Sequence, residues 1–185
     1  MRGLDGGVNG ILAPFAGGVA LPFERTSGRI WKRLTREERV AAAAAFWREP
    51  PEAVVGTALT GIVRARHMRP QVARSLSPEA RADALASVLD PGETLASSLL
   101  VALHLGERRP LLAAFLDALG LPHEDGVLKE DESSAPPPLA EAGARAAVKA
   151  IASAHPRREV ETYLNTLWLQ DPERWAILER SEEWI

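Results

Sequence analysis

The stretch ETLASSLLVALHLGERRPLLAAFLDALG, residues 93–120, decides the fold. It holds two apolar runs, 93–106 and 111–120, separated by Glu107-Arg108-Arg109-Pro110 and closed by Gly120. Proline near a helix start and glycine past a helix end are ordinary helix punctuation. Each run is apolar almost all round, and such a helix is stable only when other helices cover it on most sides. The reading is an all-α protein, with residues 93–120 folded back on themselves as a central hairpin. The architecture expected is an irregular helical bundle or a short helical-repeat array of about seven helices.

Outward from the hairpin, local signals place the other helices. Thr35-Arg36-Glu37-Glu38 has capping-box spacing and starts a helix whose inward stripe is Val40, Ala43, Ala44 and Trp47. Pro50-Pro51 stops it. A second helix is predicted over 52–66 with Val55, Leu59 and Ile62 inward, and its Gly56 and Gly61 call for close helix neighbours. Ser77-Pro78-Glu79 caps a third, and Asp90-Pro91-Gly92-Glu93 repeats the device before the central pair. Later helices are predicted over 139–154 (Ala144, Ala147, Val148 and Ile151 inward), over 157–169, and after Asp171-Pro172-Glu173. No segment alternates with the period of two that a strand requires. The junction His104 to Arg109 resembles His155 to Arg158, and this likeness underlies the repeat-array reading.

The chain then divides into four parts. Residues 1–28 form an extended, apolar, Gly/Pro-rich arm; 29–122 form the helical core with its hairpin; 123–138 are an acidic, proline-rich linker; and 139–185 are helices packing on the same core. A chain of 185 residues is long enough to bury such a core without staples. The lack of cysteine excludes thiolate catalysis, cysteine zinc sites and iron–sulfur clusters. A net charge of −3 argues against a general nucleic-acid binder, although arginines concentrate in the first half and carboxylates in 124–132. No apolar run reaches the roughly 20 residues needed to span a bilayer. Asp5 stands where a signal peptide carries positive charge, so the reading is cytoplasmic. The alanine- and arginine-rich composition resembles that of bacterial proteins from GC-rich genomes.

Candidate sites follow from residue type. Ile11, Leu12, Phe15, Leu21 and Phe23 are apolar residues on an arm too rich in glycine and proline for a helix, and they suit contact with a partner. Trp184, next to the chain end, is a second candidate docking anchor. Arg64, Arg66 and Arg69, with Arg74, form the strongest basic cluster. Arg108-Arg109 and Arg157-Arg158 both open predicted helices, where cations are unfavourable without an anion nearby. Neighbouring Glu107, Glu159 and Glu161 can satisfy them. His123-Glu124-Asp125, with His104, has the chemistry of a metal site but not the spacing of a known one, so no metal and no cofactor is indicated. Serine and histidine fall in no nucleophile pattern. The function expected is a non-enzymatic helical protein–protein interaction module, an accessory subunit whose partner is another protein or a second copy. The alternative is an anion- or nucleic-acid-binding helical domain using the Arg64–Arg74 segment.

Overall fold

The computed structural model describes residues 26–129 and 139–184. Nine α-helices, one two-stranded hairpin and a closing 3-10 helix make up the described residues, in an irregular all-α bundle. The chain enters through α1 (Ser27–Arg33), which the sequence reading left unassigned. Thr26 caps it, and buried Trp31 anchors it by donating its indole N–H to the Val88 carbonyl at 2.7 Å. Next come α2 (Arg36–Arg48) and α5 (Pro78–Ala86), starting where the capping signals predict, with α3 (Glu52–Arg66) between them, over the predicted span but without a side-chain cap. A short α4 (Pro70–Ser75), with Pro70 at its first position, joins α3 to α5. α6 (Glu93–Glu107) and α7 (Arg109–Leu119) are the two central apolar helices, and α8 (Glu141–Ala154), α9 (Arg157–Gln170) and the 3-10 helix (Ala176–Trp184) close the chain.

The central pair is not a hairpin. A single residue, Arg108, separates α6 from α7, whereas antiparallel helices need a loop of about two to five residues to lie side by side. α6 packs instead on α2, α1 and α9, while α7 packs on α8. The core divides with them. Leu95, Leu99, Leu100 and Leu103 of α6 join Trp31, Phe46, Ile62 and Leu85 in one cluster. Leu111, Phe115 and Leu116 of α7 join Val148, Ile151, Val160, Leu164, Trp175 and Trp184 in another. The inward faces of α2 (Ala42, Ala43, Phe46) and α3 (Val54, Ala58, Ile62) are turned about one residue from the predicted stripes. That of α8 is as predicted. α2 and α6 approach so closely that a Cβ on Gly106 would stand 2.7 Å from the Ala45 Cβ.

The first part of the expected linker is ordered structure. His123–Glu124 and Val127–Leu128 pair as antiparallel strands β1 and β2, joined by Asp125 (φ 51°) and Gly126 (φ 80°). An Asp-Gly pair with both φ angles positive is the favoured two-residue hairpin turn. Residues 130–138, like the arm up to residue 25, lie outside the described residues.

Candidate functional site

The two core clusters meet along a polar seam that begins at the α2 cap. Glu38 completes its capping box by accepting the Thr35 amide at 2.7 Å. The same carboxylate accepts from Arg108 Nη2 at 2.6 Å and pairs with Arg158 at 3.1 Å. Arg108 is 6% exposed, with Glu159 4.0 Å from its Nε. Arg158 also donates to the Arg33 carbonyl of α1. One helix cap thus ties α2 to the starts of both α7 and α9. One arginine from each pair singled out from sequence, Arg108 and Arg158, meets the other through Glu38, which lies outside the neighbouring Glu107, Glu159 and Glu161. The adjacent Arg109 and Arg157 turn outward to Asp125 and Glu161, each at 2.7 Å.

Deeper in the seam, His104 on α6 is buried against α9. The Thr166 hydroxyl donates to the Thr162 carbonyl at 2.8 Å, so it accepts from His104 Nε2 at 3.2 Å. That places the imidazole proton on Nε2 and leaves Nδ1 without a partner among the described residues. Burial, reinforced by the Arg108 charge, lowers the His104 pKa from its ordinary value to about 3. Thr162, Asn165 and Thr166 are buried too, making α9 inward-facing on a polar side as well as an apolar one. A cavity of about 80 Å³ beside Ile30, Leu34, Thr162 and Asn165 is far below the roughly 300 Å³ of a small-molecule site.

The metal candidates do not converge. His104 lies in the seam. His123 Nδ1 accepts the Gly126 amide at 3.2 Å, and its Nε2 faces Asp117 at 3.0 Å. Glu124 pairs with Lys129 at 3.3 Å, and Asp125 with Arg109. Consecutive residues on a tight hairpin alternate faces, so they cannot close on one ion. No group of three or more metal-ligating side chains forms among the described residues.

Trp184 is also a correction. Expected to be exposed near the terminus, it is 7% exposed. The 3-10 helix folds it back onto the second core cluster, with the Arg145 guanidinium 5.4 Å from its ring. Ile11, Leu12, Phe15, Leu21 and Phe23 fall outside the described residues. In the basic cluster, Arg66 pairs with Asp83 at 2.7 Å, and Arg36 shares that carboxylate. Arg64, Arg69 and Arg74 are exposed.

Arg64 lines an open groove of about 800 Å³. One wall is a face of α3 built from Ala53, Gly56, Thr57, Thr60 and Gly61. The facing wall is the non-helical segment Ser87-Val88-Leu89-Asp90-Pro91, whose Leu89 is 54% exposed. From sequence, Gly56 and Gly61 called for close helix neighbours; instead Gly56 has open space beyond its Cα, and Gly61 faces Val88. Small residues at i, i+4 spacing on one helix face were the signal that could have revealed the groove. No described helix is long and apolar enough to cross a membrane. No protein-family model matches the chain, and no curated protein or solved structure gives a match to it.

Proposed function

We propose that this chain is a helical protein–protein interaction module, an accessory subunit that receives an apolar segment of a partner protein in the α3 groove. The observation that carries the reading is the groove itself. It is large and open, floored by side chains small enough for a backbone to approach, and flanked by an exposed leucine. The anion-binding alternative has less support, because Arg66, Arg108, Arg109, Arg157 and Arg158 are all engaged by protein carboxylates.

The test is association in the source cell's extract, with and without a plug in the groove. Thr57→Trp fills the groove from an exposed position, and Val72→Trp places the same bulk on exposed α4. The proposal expects a salt-insensitive partner that is lost with Thr57→Trp and kept with Val72→Trp. A partner kept by both variants overturns the groove. Association that disappears with added salt and is competed by heparin favours the anion-binding reading.

A further inference from the structure

We infer that the α3 groove takes a second copy of this chain, in a two-fold dimer in which each copy seats its exposed Leu89 in the other's groove. The inference rests on the groove being the docking site, and it names what docks there. Two observations carry it.

The first is shape, because a knob and a hole stand on one surface. Leu89, at 54%, is the most exposed large apolar side chain among the described residues. Across from it the groove floor is built from Ala53, Gly56, Thr57 and Gly61, and a Cβ added to Gly56 would meet nothing within 4 Å. Within one chain Leu89 stays on the facing wall, over half of it in water. A two-fold axis lays each copy's wall over the other's floor. Both leucines then leave water together, and the contact closes on itself with no free end to recruit a third copy.

The second is charge. Arg64 lies at the C-terminal end of the α3 wall, is exposed, and has no carboxylate partner among the described residues. The facing chain runs antiparallel to α3: Asp83 pairs with Arg66 at 2.7 Å, and a Cβ on Gly61 would stand 3.4 Å from Val88. Asp90, two residues further on, therefore falls towards the Ala53 end of the groove, away from Arg64. Asp90 pairs with Lys32 at 3.4 Å, but its side chain is 77% exposed, and a carboxylate has lone pairs for a second cation. The groove is thus positive at one end and negative at the other. The same two-fold axis sets each Arg64 against the partner's Asp90, so one geometry supplies two opposite-charge contacts.

The test is sedimentation equilibrium of the purified full chain over about 1–300 μM, the range that a small interface calls for. The inference expects a monomer–dimer equilibrium. Leu89→Ser, Arg64→Asp and Asp90→Arg, all at exposed positions that leave the core intact, should each weaken it about tenfold or more, and the double variant Arg64→Asp/Asp90→Arg should regain most of that loss. A monomer throughout the range overturns the inference. So does a dimer that neither Leu89→Ser nor Arg64→Asp weakens, which would join the copies elsewhere, and so does a double variant no tighter than the single ones. The extract experiment with Thr57→Trp reads any partner of the groove. A monomeric chain that still loses a partner there removes this inference and leaves the docking site standing.

Discussion

In the half of the core built from α1–α6, buried Ala42, Ala43, Ala58, Ala73, Ala82, Ala84, Ala86 and Ala96 let helices lie close together, and Gly106 admits α2 at contact distance. The other half, from α7 to the 3-10 helix, fills its interior with Phe115, Tyr163, Trp175 and Trp184. Both halves bury aromatic rings, Trp31 and Phe46 in the first, but the first leans more on close helix approach through alanine and the second more on aromatic volume, so they should differ in what they tolerate. The largest effect is expected from Phe115→Ala, which removes a fully buried ring standing 5.5 Å from Tyr163 and 6.1 Å from Trp175. Denaturant unfolding should show a loss of about 3–5 kcal/mol. A loss below about 1 kcal/mol would mean that this half can collapse onto the gap, and the contrast would break.

Between the halves the seam is polar, and charge rather than volume sets its sensitivity. Glu38→Ala removes the reciprocal half of the α2 capping box and leaves the Arg108 guanidinium buried with no close carboxylate but Glu159 at 4.0 Å. The expected cost is about 3 kcal/mol, and Glu38→Gln, which keeps the shape without the charge, should recover only part of it. His104 gives the seam an acid sensitivity. Its pKa is lowered to about 3 in the folded protein, so between that value and about 6.5 the unfolded chain binds a proton that the folded one refuses. Its contribution to stability is complete above about pH 6.5 and falls by about 1.4 kcal/mol per unit as the pH drops towards 3. Unfolding measured from pH 6.5 to 4.5 should show that slope, and His104→Gln should flatten it.

What the sequence disclosed about this division follows the range of each interaction. The cap at Thr35 and Glu38 was legible because it spans three residues, but Arg108 lies 70 residues from Glu38, and no local pattern pairs them. The α8 stripe was readable because its apolar residues define one narrow face. On α2 and α3, alanine, valine and glycine fit either side, and tertiary packing chose a face one residue away. Thr162, Asn165 and Thr166 look like a solvent face by residue type, yet they line the seam. The turn at Asp125-Gly126 carries a local hairpin signal, but the acidic, proline-rich residues after it give the whole stretch the composition of a linker. The groove depends on an absence of side-chain volume on α3, which hydrophobic periodicity does not register.

A smaller perturbation sharpens the alanine half. Ala42 is fully buried on α2, the helix that packs most extensively on α6, so Ala42→Leu must push the helices apart or force strained rotamers. About 2 kcal/mol should be lost, with Glu38 and Arg108 still paired. An unchanged stability would show that the alanine half has slack and is not held by close approach.

The smallest effect is expected next door to the largest electrostatic one. Arg108 and Arg109 are neighbours in sequence, and each meets a carboxylate at under 3 Å, but the Arg109 and Asp125 side chains are 43% and 67% exposed. Water already solvates both charges there, so the pair gains little when it forms and loses little when it breaks. Asp125→Asn isolates that term, because asparagine tolerates the positive φ of the turn and keeps the hairpin conformation. The stability change should be within about 0.5 kcal/mol and shrink further with added salt. A loss comparable to that of Glu38→Ala would mean that β1 and β2 shield the pair from solvent. The hairpin would then belong to the structural seam and not to the surface.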